Sequence, residues 1–290
     1  MSFKLRSHAS IISGVAAIAL SLGGIAPASA FPEAETDATL SALEGMGLLD
    51  HIDVESATGS LDATKGLVVD TEAAEVTLRP MARVSPTLSD DGKALIYDED
   101  PAYSLAVTGA SSRADAGYVV IHDADAPTRY EFTIEVDGKP AVLVVHGDRV
   151  LVQDGSGETV NVIASPWARD ANGVEIPTHY QVDGNILTQF VDHSARATYP
   201  VVADPRMECN WLNCTLELTR GETRALANNT LNAGIACALT GSLAAACAAV
   251  LIASWAMANV AVNTGQCIGV RIINHPIPNN PHAVYVPCYA

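Results

Sequence analysis

The sequence predicts an all-β, sandwich-like domain followed by a small, disulfide-stapled α/β module with an alanine-rich helical hairpin. Three observations support this. Residues 66–204 consist of short β-type runs separated by turn residues, all six cysteines lie within residues 209–288, and no charged residue occurs between Arg224 and Arg271. In chain order we expect a signal peptide (1–30), a polar lead-in with a short helix (31–65), an acidic β-sandwich-like domain, here called the body (66–205), and the cysteine module (206–290).

The N-terminus has the parts of a secretory signal peptide. Lys4 and Arg6 give a basic start, residues 11–26 form an apolar core, and residues 27–30 end the segment with small side chains. We therefore expect cleavage after Ala30 and a secreted, extracellular protein. An uncleaved membrane anchor is the alternative, but the apolar core is short for a span.

Charge divides the chain sharply. Residues 31–205 carry 30 acidic and 10 basic side chains (net −20), residues 206–290 carry 3 and 4 (net +1), and the two basic residues of the signal complete the total of −17. This asymmetry indicates two units built under different constraints. Because phosphate contacts require Lys and Arg, we expect no binding of nucleic acid, and the simplest meaning of the acidity is solubility.

The lead-in contains one helix candidate. Thr36 can cap a helix that runs to Leu49, with Leu40, Leu43 and Met46 spaced three apart on one side. This helix either packs on the body or stays mobile, and a removable pro-segment is the further alternative.

The body reads as about ten antiparallel strands. Residues 130–136 (YEFTIEV) alternate apolar and polar side chains, as expected for a half-buried strand, and turns such as DDG, DGKP and DGSGE separate the runs. No helix-length run interrupts them, which excludes parallel βαβ units. The expected architecture is a β-sandwich or a closed barrel.

The end of the body carries a resemblance to other proteins. The segment YPVVADP (199–205) resembles the close of a β-rich domain in uncharacterised secreted actinobacterial proteins, where a variable, cysteine-containing C-terminal module follows, and LTRGETRALA (218–227) also resembles such chains. The resemblance implies export and modularity, and it carries no catalytic residues. Since Pro200 and Pro205 bracket an extended segment, we place the domain boundary at Asp204 and Pro205.

The sequence of the cysteine module predicts one strand, then two helices, then two further strands. Thr219 and Glu222 have the spacing of a capping box at the start of a helix over 220–228. After a turn at 240–242, a second helix is expected over 243–263, with Gly265 as its C-terminal stop. The predicted strands are 214–218, 268–272 and 283–286.

The cysteines predict disulfides. Six cysteines in an exported unit of this size are typical of covalent staples, and the sequence lacks the C-x-x-C or cysteine–histidine spacing of a zinc site. Many connectivities are open. One arrangement pairs the cysteines that flank the interhelical turn, pairs those at the closing strands, and leaves the first two together: Cys237 with Cys247, Cys267 with Cys288, and Cys209 with Cys214.

The alanine-rich run 243–262 has two interpretations. It has the minimum length of a transmembrane span, but alanine contributes little to insertion and Ser254 and Asn259 dilute it further. We favour a buried hairpin helix, in which small side chains permit close packing. Membrane contact through this run is the less favoured alternative.

Enzyme signatures are absent from the sequence. There is no H-E-x-x-H, no G-x-S-x-G and no phosphate-binding glycine loop, and residues 155–157 (GSG) read as a hairpin turn. His122 with Asp123 and Asp125, and His146 with Asp148, stand at strand ends and supply a hydrolase alternative.

Calcium is an alternative for two acidic turns, 123–125 and 170–173, although both lack the further ligands of a calcium loop. We predict no catalytic, metal or cofactor-binding residue.

The leading functional hypothesis is a secreted, non-enzymatic protein with an extracellular binding or effector role through the cysteine module. Its partner would be an unknown extracellular protein or surface. The alternatives are the strand-end hydrolase and a membrane-active, bacteriocin-like effector.

Overall fold

The structure is a computed structural model that describes residues 32–49, 59–71, 73–109, 115–194, 196–209, 213–237, 244–273 and 281–288. Residues from Pro32 onward form one compact unit. The predicted signal peptide, its cleavage site at Ala30 and the turn at 240–242 lie outside the described residues.

Helices and strands follow the predicted order, with a β-rich body first and helices concentrated near the C-terminus. In the described part of the chain the helices are α1 (Pro32–Gly45), α2 (Arg220–Ala227), α3 (Ala233–Ala236), α4 (Ala244–Ala253) and α5 (Trp255–Thr264). The strands are β1 (Gly59–Asp62), β2 (Gly66–Asp70), β3 (Glu75–Pro80), β4 (Thr87–Leu88), β5 (Ala94–Asp100), β6 (Tyr103–Thr108), β7 (Ala116–Ile121), β8 (Arg129–Val136), β9 (Lys139–Pro140), β10 (Val142–His146), β11 (Arg149–Gln153), β12 (Thr159–Ile163), β13 (Ala168–Arg169), β14 (Thr178–Asp183), β15 (Ile186–Val191), β16 (Val201–Ala203), β17 (Asn213–Glu217), β18 (Gln266–Ile273) and β19 (His282–Pro287).

Two antiparallel sheets form the sandwich. Sheet I has the strand order β1-β2-β3-β8-β15-β14, with β9 beside β8, and sheet II has the order β13-β16-β7-β6-β5-β4. Their common core contains Leu78, Phe132 and Ile134 from sheet I and Val107 and Ile121 from sheet II, all fully buried. The strand β8 alternates buried and half-buried residues, as its sequence indicates. The prediction of a β-sandwich-like domain is confirmed.

The lead-in contributes to this sandwich. The helix α1 covers the outer face of sheet II, where Leu43 and Leu49 are buried against Ile96 and Val120. It begins four residues before the predicted cap Thr36, at a proline, which is a favoured first helical residue, and it ends at Gly45. The lead-in also supplies β1, which pairs with β2. No sequence pattern indicates β1, because the run GSLD has a single apolar residue.

The cysteine module packs on the body. Its strands form a separate antiparallel sheet, β17-β18-β19 (sheet IV), and a third small sheet, β10-β11-β12 (sheet III), lies between it and the sandwich. The module core includes Leu216, Leu226 and Leu251 together with Val162 from β12. The predicted helix 220–228 and the three predicted strands are present, with ends shifted by one to two residues.

The prediction of one continuous helix over 243–263 is wrong. The described part of this run forms α4 and α5, which meet at Ser254 with a bend of 63°. The Ser254 hydroxyl donates to the Val250 carbonyl at 2.6 Å, a side-chain bond that competes with the helical backbone pattern. The predicted stop at Gly265 is confirmed, with φ of 73°. By length and apolarity, no helix among the described residues spans a bilayer alone; only the bent pair α4 and α5 together meets these criteria.

Three disulfides staple the C-terminal region, and the proposed pairing is confirmed. They join Cys209 to Cys214, Cys237 to Cys247 and Cys267 to Cys288. The second connects the end of α3 to α4, and the third links β18 to the residue that follows β19. Such bridges are typical of proteins that fold in oxidising, extracellular compartments.

Candidate functional site

The predicted strand-end histidines are separate in the structure. His122 follows β7 in sheet II, and its Nε2 atom lies 3.1 Å from the Ser104 hydroxyl. His146 ends β10 in sheet III, and Asp148 lies in the turn after it. No hydrogen bond or ion pair between the two groups is found in the described ranges. Burial lowers the pKa of His122 below its ordinary value, which favours the neutral form of the ring.

The acidic turns use their carboxylates to hold the turns themselves. Asp123 accepts the backbone N–H of Asp125 at 2.8 Å. Asp170 accepts the backbone N–H groups of Thr198 and Val174, at 3.1 and 2.9 Å, and these bonds lower its pKa. The described residues contain no group of three His, Cys, Asp or Glu arranged for a metal ion. The GSG run at 155–157 forms the β11–β12 turn, as predicted.

The predicted capping box is present and also ties the module to the body. The Glu222 backbone N–H donates to the Thr219 hydroxyl at 3.1 Å, and the Thr219 N–H donates to the Glu222 carboxylate at 2.8 Å. Arg149, on β11, donates to the same carboxylate through Nη1 and Nη2, at 3.2 and 3.0 Å. The Glu222 side chain therefore caps the N-terminus of α2 and also anchors this helix of the module to β11 of the body.

This contact belongs to a group of five buried or half-buried charged residues, which we call the junction cluster: Arg149, Arg206, Glu208, Glu217 and Glu222. Arg206 Nη2 lies 2.8 Å from a Glu217 carboxylate oxygen, and Arg149 Nε lies 3.9 Å from Glu208. The cluster thus holds three carboxyl groups and two guanidinium groups. One carboxyl group is therefore left without a guanidinium group to balance its charge.

Glu208 is that surplus group. Burial raises its pKa to about 7, and the neighbouring Glu217 adds to the increase, while Arg149 and Arg206 offset it in part. Its Oε2 atom is buried and has no hydrogen-bond partner within the described structure. Glu222 behaves in the opposite way: burial raises its pKa, but the hydrogen bonds and charge of Arg149 outweigh burial and leave it lowered.

The segment that joins body and module is buried. Asp204 is fully buried and accepts the Trp167 backbone N–H at 3.0 Å, and burial raises its pKa to about 7. The Met207 backbone N–H donates to the Asp115 carbonyl at 2.9 Å. The strand β16 belongs to sheet II and β17 belongs to sheet IV, so the chain passes from body to module close to the predicted boundary. Residues 204–208, which make this connection, are buried and do not form an exposed linker.

A cleft of about 390 Å³, here called the junction cleft, opens between the body and the module. One wall is the β10–β11 hairpin, and the opposite wall is the start of β14, from Thr178 to Tyr180. The first turn of α2 closes one side through Thr219 and Gly221, and Ser165 also lines the cleft.

A second surface feature lies on the module. Large apolar side chains on or near α3, α4 and α5 are exposed, and we call them the apolar helical face: Ile235, Ile252, Trp255, Val260 and Val262. Ile252 is 69% exposed and Val260 is 50% exposed. The Trp255 indole N–H donates to the Ala227 carbonyl at 2.8 Å, which fixes the ring against the end of α2.

Sequence reasoning identified the capping residues and the disulfides but missed the junction cluster and the cleft. Arg149 and Glu222 are 73 residues apart, and no local pattern links them. One available signal is Arg149 itself, because the run RVLVQ places a charged residue next to three consecutive apolar ones.

No protein-family model matches the chain, and neither the curated proteins nor the solved structures contain a significant match.

Proposed function

We propose that this protein is an extracellular, non-enzymatic binding protein whose apolar helical face contacts a protein partner. The observation that carries the proposal is the exposure of Ile252 and Val260 on a stretch that has no charged residue from 225 to 270. A solvent-facing helix surface normally carries polar and charged groups. Several large apolar side chains exposed in one uncharged region indicate an interaction site, and interface cores are depleted of charge and enriched in aromatic residues such as Trp255.

Charge favours a protein over a lipid partner. Stable membrane association of an amphipathic surface combines apolar burial with basic residues that attract anionic headgroups. The helices α3, α4 and α5 contain no basic residue, and the whole chain has a net charge of −17. An anionic bilayer would therefore repel the protein.

Export supports the same function. We infer that residues 1–30 are a signal peptide cleaved after Ala30, as the resemblance to exported actinobacterial proteins also implies. The disulfides Cys237–Cys247 and Cys267–Cys288 then form outside the cytoplasm and hold the face in place.

Two substitutions on the face test the proposal. Ile252→Ser and Val260→Ser change side chains that are at least half exposed, so the fold should tolerate them. Leu88→Ser, on β4 in the body and 54% exposed, is the matched control for losing an exposed apolar group. Burial of such a side chain contributes roughly 1–2 kcal/mol, so each face variant should bind a partner about tenfold more weakly.

The measurement uses the full secreted protein, immobilised and exposed to intact cells and culture supernatant, with captured proteins identified by mass spectrometry. A partner that binds the wild type and the Leu88 variant but is lost from both face variants supports the proposal. Equal capture by all four proteins contradicts it. Flotation with neutral and anionic liposomes runs alongside, and binding of the oxidised protein to liposomes would favour the membrane-active alternative instead.

A further inference from the structure

We propose that the junction cleft is a second binding site, which takes an extended peptide segment of a protein partner along the free edge of β14. This site is separate from the apolar helical face and does not depend on it.

The strand β14 is the last strand of sheet I. Just before it, the Ile176 N–H donates to the Ala168 carbonyl at 2.8 Å on the outer side, so the open part of this edge begins at Thr178 in the described structure. The Asp192 N–H donates to the Pro177 carbonyl at 2.8 Å, which identifies these residues as a hydrogen-bonded pair of the antiparallel ladder between β14 and β15. Such pairs alternate with non-hydrogen-bonded ones. Thr178 and Tyr180 are therefore in non-hydrogen-bonded positions, and their backbone N–H and C=O groups point away from β15. Both residues line the cleft.

The facing wall is also a strand edge. The strand β10 is the outermost strand of sheet III, and its tight turn at Gly147 and Asp148 is closed by the pair His146–Arg149. By the same alternation, Val145 directs its backbone groups away from β11. Val145 lines the cleft, and no backbone hydrogen bond joins β10 to β14 among the residues that the structure describes.

Two further polar groups in the cleft can bond to a ligand. Ser165 is only 8% exposed, and its hydroxyl has no hydrogen-bond partner in the described structure. A buried polar group without a partner is costly. Gly221, in the first turn of α2, is exposed, and its backbone N–H has no acceptor within the helix because that turn begins the ladder. A ligand that supplies carbonyl acceptors and amide donors would bond to both groups.

Charge selects among ligands of this kind. The charged side chains that line the cleft are Asp148 and Arg149. The Arg149 guanidinium already donates to the Glu222 carboxylate and to the Glu217 carbonyl. Its terminal nitrogens are therefore engaged within the protein, which disfavours phosphate or sulfate as the ligand. The neutral backbone of an extended peptide fits the strand edge, and a Lys or Arg in the bound segment complements Asp148. This is recognition by strand addition, in which main-chain bonds give the affinity.

The test uses the full secreted chain and a phage-displayed library of random octapeptides, from which enriched peptides are synthesised and titrated by fluorescence polarisation. Ser165→Ala removes a hydroxyl without a protein partner, so it should leave folding intact and weaken peptide binding at least tenfold. Thr178→Pro removes a cleft-facing N–H on an edge strand, a position where proline is tolerated. It also removes the hydroxyl that accepts from the Gln189 side chain at 3.1 Å, and Thr178→Val, which loses the hydroxyl but keeps the N–H, is its matched control. Thr178→Pro should weaken binding by a similar factor.

Leu88→Ser, on the opposite sheet, is the control and should bind the peptides as the wild type does. Synthetic peptides that are N-methylated at alternate residues cannot pair with a strand edge, and they should bind at least tenfold more weakly than their parents. Failure of any peptide to enrich overturns the proposal. So does equal binding of the enriched peptides by wild type, Ser165→Ala and Thr178→Pro, provided that thermal unfolding shows all three to be folded.

Discussion

At the scale of single residues, the junction cluster makes stability depend on pH through Glu208. Its folded-state pKa of about 7 exceeds the ordinary value of 4.5, so the folded protein keeps a proton that the unfolded chain has lost. Stability must therefore fall as pH rises from about 4.5 through about 7. Glu208→Gln removes the titrating carboxyl group, so the variant does not lose this stability as pH rises. We expect the variant to match the wild type in urea unfolding at pH 4.5 and to be more stable by roughly 1–3 kcal/mol at pH 8.

Glu222→Gln is the matched comparison, and the opposite result is expected. The pKa of Glu222 is lowered, so its ionised form stabilises the fold above the ordinary pKa, and that contribution is lost as pH falls through the folded-state pKa. Glu222→Gln leaves Arg149 without the carboxylate that accepts hydrogen bonds from both of its terminal nitrogens. The variant should therefore be less stable than the wild type at pH 8. If both variants shift stability in the same direction at pH 8, the assignment of Glu208 as the surplus carboxyl group is incorrect.

At the scale of elements, the capping box at the N-terminus of α2 makes a measurable contribution to the stability of the protein. Thr219→Ala removes the acceptor for the Glu222 N–H and should destabilise the protein by about 1 kcal/mol. Thr219→Ser keeps the oxygen at the same position and should cost much less. Urea unfolding of the two variants at pH 7 measures the difference, and equal stability of both would show that the box contributes nothing.

The elements also show which features the sequence predicts. Alternation within β8, the capping pair Thr219–Glu222 and the stop at Gly265 depend on neighbours within a few residues, and each was predicted. The break at Ser254 was missed, because a serine in an alanine-rich run does not by itself indicate a bend. The strand β1 becomes a strand through its pairing with β2, since its own sequence carries little β signal. The junction cluster and cleft arise from contacts between distant segments, which no local pattern in one sequence reveals.

At the scale of the whole molecule, the buried segment 204–208 couples body and module. Its backbone is hydrogen-bonded to both, and the Arg149–Glu222 contact adds a second connection. We therefore expect the oxidised protein to unfold in a single transition when followed by tryptophan fluorescence and by far-UV circular dichroism. Limited proteolysis of the native protein should leave residues 204–208 intact. Two separate transitions, or early cleavage within that segment, would contradict this coupling.

The disulfides determine whether the apolar helical face stays a limited patch or becomes a large exposed surface. In the oxidised protein, Cys237–Cys247 holds α3 to α4 while Leu251 and Ala258 are buried against the module sheet. Loss of a native disulfide costs roughly 2–5 kcal/mol in a small secreted domain, so reduction should loosen the helices and expose apolar surface across residues 235–262. That stretch has no charge to keep it in water.

We therefore expect the oxidised full chain to remain unbound in flotation with neutral liposomes, and the reduced chain to bind them or aggregate. The double variant Cys237→Ser with Cys247→Ser should resemble the reduced chain, whereas Cys209→Ser with Cys214→Ser, remote from the helices, should resemble the oxidised one. Thiol labelling of the denatured, unreduced wild type should find no free cysteine, which verifies the starting state. Permeabilisation of neutral liposomes by the oxidised protein would show that the helices insert without reduction. The bent pair α4 and α5 would then be a membrane-active element rather than a protein-binding face.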